Sequence, residues 1–323
     1  MNARPSLFER AAEIYDFESG LRVDPVPADL PPPRARPVPE IPPEAPVEAS
    51  APVKSAPVIN DAPPPQVEPS PRRVVRPVRP LRHKLVEIDR ASLEQGGYLV
   101  PDAPASALAE EMRIVKRRLL AAADARAERD PHARISVIAS GQAGEGKTFV
   151  ALNLALSIAG EQDRAVLLID GDTSKPEVAG RLGIEAEAGL VDALADHGVD
   201  PESLVIDTDI DGLSILPAGR RERNVPELLS SARTQEVLER LLAADPRRII
   251  LIDSPPTLAA STAAVLAGHA GQTLVVVRAD QTSEADLKET VALLGGPARL
   301  SLVLNSASLS IGGRRFGYYE EQR

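Results

Sequence analysis

Residues 134–148, RISVIASGQAGEGKT, contain the pattern that decides the fold. The apolar run over 135–139 is short, rich in β-branched residues and bounded by turn-forming residues, so it predicts a buried strand. Glycines then lead into Lys147 and Thr148, and the spacing that starts at Gly141 matches the full phosphate-loop pattern. The stretch therefore predicts a strand, a phosphate-binding loop and a helix in succession.

The residue types in this loop suit the binding of a nucleoside triphosphate. Glycines let backbone amides turn towards a phosphate, and the N-terminus of the following helix adds partial positive charge. We expect Lys147 to reach the β- and γ-phosphates of ATP and the Thr148 hydroxyl to bind Mg²⁺. The residues predicted to contact the nucleotide are Gly141, Gln142, Ala143, Gly144, Glu145, Gly146, Lys147, Thr148 and Phe149.

Two aspartate motifs follow further predicted strands. Asp170 and Asp172 leave an apolar strand two residues apart, and Asp253 ends another. Each aspartate alone is also typical of a turn cap, but ligands of open parallel sheets lie at the carboxyl ends of strands. We predict that Asp172 and Asp253 bind Mg²⁺ with Thr148, and that Asp170 orients or deprotonates an attacking hydroxyl. The sequence does not separate the roles of Asp170 and Asp172.

Helical and strand patterns alternate after the phosphate loop. The predicted strands are apolar almost throughout, which is typical of a parallel sheet covered by helices on both faces. We predict helices over 105–129, 149–159, 176–182, 190–195, 234–243, 257–267 and 283–294, and strands over 165–170, 213–216, 248–253, 273–277 and 300–305. The predicted fold class is α/β, with a mostly parallel sheet and the topology of a P-loop NTPase.

A proline-rich segment precedes this domain. More than half of the 31 prolines lie between Pro25 and Pro80, a composition that is typical of a disordered linker. We assign residues 21–84 to this linker. Its basic end, 72–84, suits an anionic lipid surface or an acidic partner, although such a run is also typical of a solvated flank.

Three further segments complete the predicted organisation. Residues 1–20 contain a short amphipathic helix, which is either a docking peptide for a partner or a helix folded back on the core. Residues 85–307 form the phosphate-loop domain. Residues 308–323 form a glycine-containing tail that bears Tyr318 and Tyr319, and we expect this tail to be flexible.

The composition restricts the expected location and partners. The chain has no cysteine, which excludes disulfides and thiolate metal sites and suits the cytoplasm. No apolar run approaches the roughly 20 residues of a membrane-spanning helix, and the N-terminus is not a signal peptide, so we do not expect the chain to span a membrane by itself. The net charge of −10 disfavours non-specific binding to nucleic acid.

The three motifs together resemble the bacterial tyrosine kinases of capsule and exopolysaccharide synthesis, the BY-kinases. These kinases belong to the wider fold group of the Min/Par ATPases. The sequence GEGK at 144–147 is similar to the kinase form, whereas the Min/Par form carries a second lysine where this chain has Gln142. LPAG at 216–219 and PELL at 226–229 also match the kinases. Residues 86–116 resemble the subgroup tied to exosortase-type exopolysaccharide loci.

The resemblance implies a Mg-ATP-dependent protein-tyrosine autokinase that regulates exopolysaccharide biosynthesis or export. In the family a tyrosine-rich tail enters a neighbour's active site within a ring, which implies Tyr318 and Tyr319 as phosphate acceptors. The family's oligomerisation motif corresponds to Glu110, Arg113 and Lys116. A membrane protein of the polysaccharide co-polymerase type is implied as activator, with a cognate tyrosine phosphatase as a further partner. The implied location is the cytoplasm, at the inner face of the cell membrane.

Two other functions fit parts of the pattern. A Min/Par-like positioning ATPase would hydrolyse ATP and switch its dimer state, but Gln142 and the tyrosine tail oppose that interpretation. A non-catalytic ATP-binding scaffold of a polysaccharide export complex is favoured by departures from the family pattern. Ser174 stands where the family usually has arginine, Ala143 replaces a common proline, and Lys116 replaces an arginine that pairs differently with carboxylates.

Overall fold

The computed structural model of the protein describes residues 84–104, 106–296 and 299–307. The helix predicted within 1–20, the linker predicted over 21–84 apart from its last residue, and the tail predicted over 308–323 lie outside the described residues. Those three assignments stay predictions.

The described residues contain one eight-stranded sheet. Its strands are β1 (Lys84–Val86), β2 (Ile135–Ser140), β3 (Ala165–Asp170), β4 (Ile206–Thr208), β5 (Leu213–Leu216), β6 (Arg248–Asp253), β7 (Gln272–Arg278) and β8 (Leu300–Asn305). They lie in the order β1-β4-β5-β3-β6-β2-β7-β8. All neighbours pair in parallel except β4 and β5, which are antiparallel. The predicted mostly parallel sheet is confirmed.

Nine α-helices connect these strands within the described residues. They are α1 (Arg90–Gln95), α2 (Ala107–Asp124), α3 (Lys147–Ala159), α4 (Val178–Arg181), α5 (Leu190–Ala195), α6 (Val225–Leu229), α7 (Ala232–Ala244), α8 (Thr262–Gly268) and α9 (Glu284–Leu293). Side-chain caps define the N-termini of two of the longer helices, α2 and α9. The Ser106 hydroxyl accepts from the Ala109 amide at the start of α2, and Ser283 caps α9 in the same way.

Apolar side chains form one cluster on each face of the sheet. Leu168 and Leu251 belong to the cluster that includes α2 and α3. Their chain neighbours Leu167 and Ile250 belong to the other, which includes residues of α5 to α8. Successive strand residues point to opposite faces, and full burial of one such side chain stabilises the fold by about 2 kcal/mol. The prediction of helices on both faces is confirmed.

The structure differs from the predicted elements at a few places. The helix predicted to reach residue 129 ends at Asp124. Beyond it the Arg126 amide bonds the Ala123 carbonyl in a tighter turn, and the Arg126 guanidinium bonds the Ala122 and Gly271 carbonyls. The helix predicted from residue 257 begins at Thr262. The prediction missed β1, β4, α1 and α6, which have three to six residues each.

Candidate active site

The phosphate loop connects β2 to α3 and places its glycines where only glycine is unstrained. Gly144 and Gly146 have φ values of 83° and 99°, in the left-handed region that disfavours residues with a Cβ. Gly146 also lies against the Asn305 amide, and a Cβ at Gly141 would lie 2.6 Å from Thr290 Oγ1. These three positions therefore require glycine for conformation or for space.

Residues far along the chain hold the outer side of the loop. Glu145 is 4% exposed, and its Oε2 accepts from the Gln142 amide at 2.8 Å. Its Oε1 accepts from the Thr282 hydroxyl. The Arg278 guanidinium donates to the Gly144 carbonyl at 2.9 Å, and Asn305 Nδ2 donates to the Glu145 carbonyl at 2.9 Å. Sequence reasoning missed the last three side chains.

The loop lysine faces Asp172, the second of the two aspartates at the end of β3. Lys147 Nζ lies 3.3 Å from Asp172 Oδ2. The other oxygen of Asp172 accepts from the Ser174 hydroxyl at 2.8 Å and from the Lys175 amide at 3.1 Å. Asp172 therefore keeps one oxygen towards the lysine while the turn after β3 fixes the other.

The loop threonine bonds the aspartate that ends β6. Thr148 Oγ1 donates to Asp253 Oδ2 at 2.7 Å. Asp253 is 1% exposed, and its Oδ1 is buried and meets no hydrogen-bond donor among the described residues. Burial raises the pKa of Asp253 to about 7, against the opposing effect of nearby Lys147. This carboxylate thus has one oxygen bound by the protein and one that suits a further ligand.

Asp170 makes a different set of contacts from Asp172. Its carboxylate is fully buried and accepts from the Val178 amide at 3.0 Å and the Asp172 amide at 3.3 Å. Burial raises the pKa of Asp170 to about 6. Because both oxygens bond backbone amides, the geometry favours Asp170 as an anchor for the turn and Asp172 as the aspartate that faces the lysine.

Phe149, predicted to contact the nucleotide, packs its ring elsewhere. The ring centroids of Phe149 and Tyr98 are 5.4 Å apart. Tyr98 is buried, and its hydroxyl accepts from the Arg181 guanidinium at 2.6 Å. The side chain of Phe149 thereby joins the loop helix to the segment that follows α1, and a nucleotide contact from Phe149 stays a prediction.

The three residues of the predicted oligomerisation motif do not share one environment on α2. Glu110 and Arg113 form a half-exposed ion pair. Lys116 is 7% exposed, and its Nζ donates to the Ser157 carbonyl at 2.9 Å and pairs with Glu161 Oε1 at 2.5 Å. The expectation that all three meet a neighbour's charges needs correction, since Lys116 is used within the chain. Each helical step of three residues turns about 60° short of a full circle, so Lys116 lies about 120° from Glu110.

The donor set fits a magnesium ion that arrives with nucleotide phosphates. Among the described residues, no group of three or more His, Asp or Glu side chains is arranged to hold a metal ion alone. Mg²⁺ is usually bound through one or two carboxylates together with substrate phosphates and water. The unpartnered oxygen of Asp253 and the adjacent Thr148 hydroxyl are oxygen ligands of that kind.

A cavity of about 670 Å³ lies at the opposite end of the strands. Its lining includes Glu202 and Arg248, which form a buried two-pronged ion pair with distances of 2.7 and 2.8 Å. The charges of these two groups are paired with each other, and the pair fixes the first residue of β6. We therefore assign the active site by its chemistry at the phosphate loop and not by cavity size.

The comparison with known proteins agrees with this geometry. A family model described as an AAA domain matches residues 133–294. The chain is 30% identical over 234 residues to tyrosine-protein kinase YwqD of Bacillus subtilis (strain 168), which covers 72% of this chain and 94% of that protein. The chain belongs to the bacterial tyrosine kinase family. The resemblance drawn from its motifs is confirmed.

Two further members of this family show how much of each protein is shared. Tyrosine-protein kinase wzc of Salmonella typhimurium is 35% identical over 178 residues, which covers 54% of this chain and 24% of that protein. The chain therefore spans about a quarter of the length of that relative. The kinase domain of Escherichia coli tyrosine kinase ETK is 25% identical, with a TM-score of 0.54, over 72% of this chain and 93% of that domain. Within the described residues, no helix combines the length and apolarity needed to cross a membrane.

Proposed function

We propose that the chain is a Mg-ATP-dependent protein-tyrosine autokinase that regulates exopolysaccharide biosynthesis or export. The observation that carries the proposal is the approach of four side chains at the carboxyl ends of β2, β3 and β6. Lys147 lies 3.3 Å from Asp172, and Thr148 lies 2.7 Å from Asp253. Phosphoryl transfer depends mainly on positioning and on charge stabilisation, which these groups supply together with the loop amides.

Each of these groups and Asp170 has a proposed role. Lys147 exchanges its contact with Asp172 for the β- and γ-phosphates, which frees Asp172 to accept the proton of an incoming tyrosine hydroxyl. Thr148 and Asp253, with Asp172 nearby, hold Mg²⁺, which neutralises charge on the phosphates when bound. Asp170 keeps the turn after β3 in place through its two backbone bonds.

The acceptor and the assembly belong to the same proposal. Tyr318 and Tyr319 are the proposed phosphate acceptors, presented to a neighbouring subunit within a homo-oligomeric ring. Glu110 and Arg113 form the proposed contact on α2, where they are half-exposed. A membrane protein of the polysaccharide co-polymerase type is the proposed activator, and a tyrosine phosphatase reverses the modification. The basic run over 72–84 supports a location at the inner membrane face, because anionic lipid attracts such segments.

The Lys147→Met variant of the full chain tests the nucleotide site directly. We expect it to lose measurable Mg-ATP binding by isothermal titration calorimetry and to retain its circular dichroism spectrum, since Lys147 is partly exposed. A matched Lys175→Met variant alters a lysine whose side chain is 82% exposed and should bind Mg-ATP as the wild type does. Unchanged binding by a folded Lys147→Met protein would contradict the assignment.

A further inference from the structure

Three donors hold the outer side of the phosphate loop, and they come from the last third of the described chain. Arg278 donates to the Gly144 carbonyl, Asn305 to the Glu145 carbonyl and Thr282 to the Glu145 carboxylate. A loop whose amides point inward to phosphate has carbonyls that point outward, where these donors reach them. These contacts therefore favour the backbone orientation that leaves the loop amides other than that of Gln142 free for phosphate.

The Glu145 carboxylate is an unusual group to bury inside a loop that binds anions. Its hydrogen-bond partners among the described residues are the Gln142 amide and the Thr282 hydroxyl, which are both uncharged. A buried ionised oxygen that loses its donor is strongly destabilised until it finds another. The backbone amides of its own loop are donors close at hand, and they are the groups that phosphate needs.

The Thr282 hydroxyl occupies a fixed place between two partners. It accepts from the Arg278 amide at 2.9 Å and donates to Glu145 Oε1. Because a hydroxyl has one proton, accepting from the Arg278 amide leaves that proton to point at Glu145. The turn after β7 thus presents a directed donor to the carboxylate.

We propose that Thr282 is a positioning residue for the nucleotide. Its hydroxyl holds one oxygen of the Glu145 carboxylate against the turn after β7, while the Gln142 amide donates to the other oxygen. The contact with Thr282 keeps the first oxygen away from the remaining loop amides, which are the ones left to bind phosphate. The inference rests on the proposed binding of ATP by the loop. It adds a residue that lies 134 positions after Thr148 in the sequence and touches no substrate.

Thr282→Val tests the inference because it keeps the size of the side chain and removes the hydroxyl. We expect the dissociation constant of Mg-ATP, measured on the full chain by calorimetry, to rise about tenfold, as for the loss of one hydrogen bond to a charged group. Thr282→Ser restores the hydroxyl and should return the constant to within about twofold of the wild type.

Two further variants separate this role from general stability. Thr234→Val removes a hydroxyl that donates to the Leu228 carbonyl at 3.2 Å on α7, and it should leave the Mg-ATP dissociation constant unchanged. Glu145→Gln combined with Thr282→Val should bind Mg-ATP within about threefold of Glu145→Gln alone, because a neutral amide does not compete with phosphate.

Wild-type affinity in Thr282→Val, or an equal loss in Thr234→Val, would overturn the inference and leave the proposed function standing. An undiminished tenfold effect of Thr282→Val in the Glu145→Gln background would also overturn it, because the charge would then be irrelevant. A wild-type chain that binds no Mg-ATP would overturn the proposed function and the inference together.

Discussion

Asp253 is predicted to lower the stability of the fold that carries it. Burial raises its pKa from the ordinary value of 3.8 to about 7. Between those values the folded chain holds a proton that the unfolded chain has released, so the free energy of unfolding falls as pH rises and levels off above pH 7. One pKa unit corresponds to about 1.4 kcal/mol, so the ionised carboxylate destabilises the fold by about 4 kcal/mol above pH 7.

Asp253→Asn removes this charge and should stabilise the protein most at high pH. At pH 5 the wild type carries only about 1.6 kcal/mol of the penalty, against about 4 kcal/mol at pH 8. The introduced amide leaves an N–H group without a partner, which costs about 1–3 kcal/mol equally at both pH values. The stability of the variant relative to the wild type should therefore increase by about 2–3 kcal/mol from pH 5 to pH 8.

Urea unfolding followed by circular dichroism at pH 5 and pH 8 measures this difference. Asp209→Asn serves as a matched control, because the hydrogen bond from Arg90 lowers the pKa of Asp209. That carboxylate is ionised in both the folded and the unfolded chain at pH 5 and at pH 8, so the stability of Asp209→Asn relative to the wild type should be the same at both pH values. If the stability of Asp253→Asn relative to the wild type is the same at pH 5 and pH 8, the reasoning is refuted. That result would mean that Asp253 has an ordinary pKa in the folded protein.

Two further predictions concern the helix α2 and one concerns a tyrosine. Lys116→Met should lower the free energy of unfolding by about 1–3 kcal/mol, because it removes a charged donor from the part-buried Ser157 carbonyl and from Glu161. It should leave the mass of the assembly unchanged by light scattering. Glu110→Ala combined with Arg113→Ala should reduce that mass while changing stability by only about 0.5 kcal/mol, as expected for an exposed pair; an unchanged mass in an oligomeric protein would argue against this contact. Mass spectrometry after incubation with Mg-ATP should find Tyr98 unmodified, because this tyrosine is buried, and phosphate on Tyr98 would contradict its position in the structure.

Most of the sheet could be predicted because its strands can be recognised from their local sequence. The runs over 165–170 and 248–253 are apolar and end at an aspartate, and the structure gives both with the same bounds. The short strands β1 and β4 have no such pattern. They exist because Lys84 pairs with Ile206 across 122 residues, and a pairing of that range leaves no local signal.

The candidate site divides in the same way. Lys147, Thr148 and Asp253 were predictable because the loop spacing and the position at strand ends have direct physical meaning. The contacts of Thr282 and Asn305 with the loop were not predictable, since a polar residue after a strand is common and its partner lies far away in sequence. The end of β8 beside the loop was the available signal for Asn305, given that ligands of parallel sheets gather at that edge.

Mapping of phosphotyrosine by mass spectrometry, after the full chain is incubated with Mg-ATP, tests the central claim most directly. We predict phosphate on Tyr318 and Tyr319 of the wild type, none in Lys147→Met, and loss of most phosphotyrosine in Tyr318→Phe combined with Tyr319→Phe. ADP release without phosphotyrosine would contradict the account in favour of a positioning ATPase. Bound ATP with neither product would contradict it in favour of a scaffold.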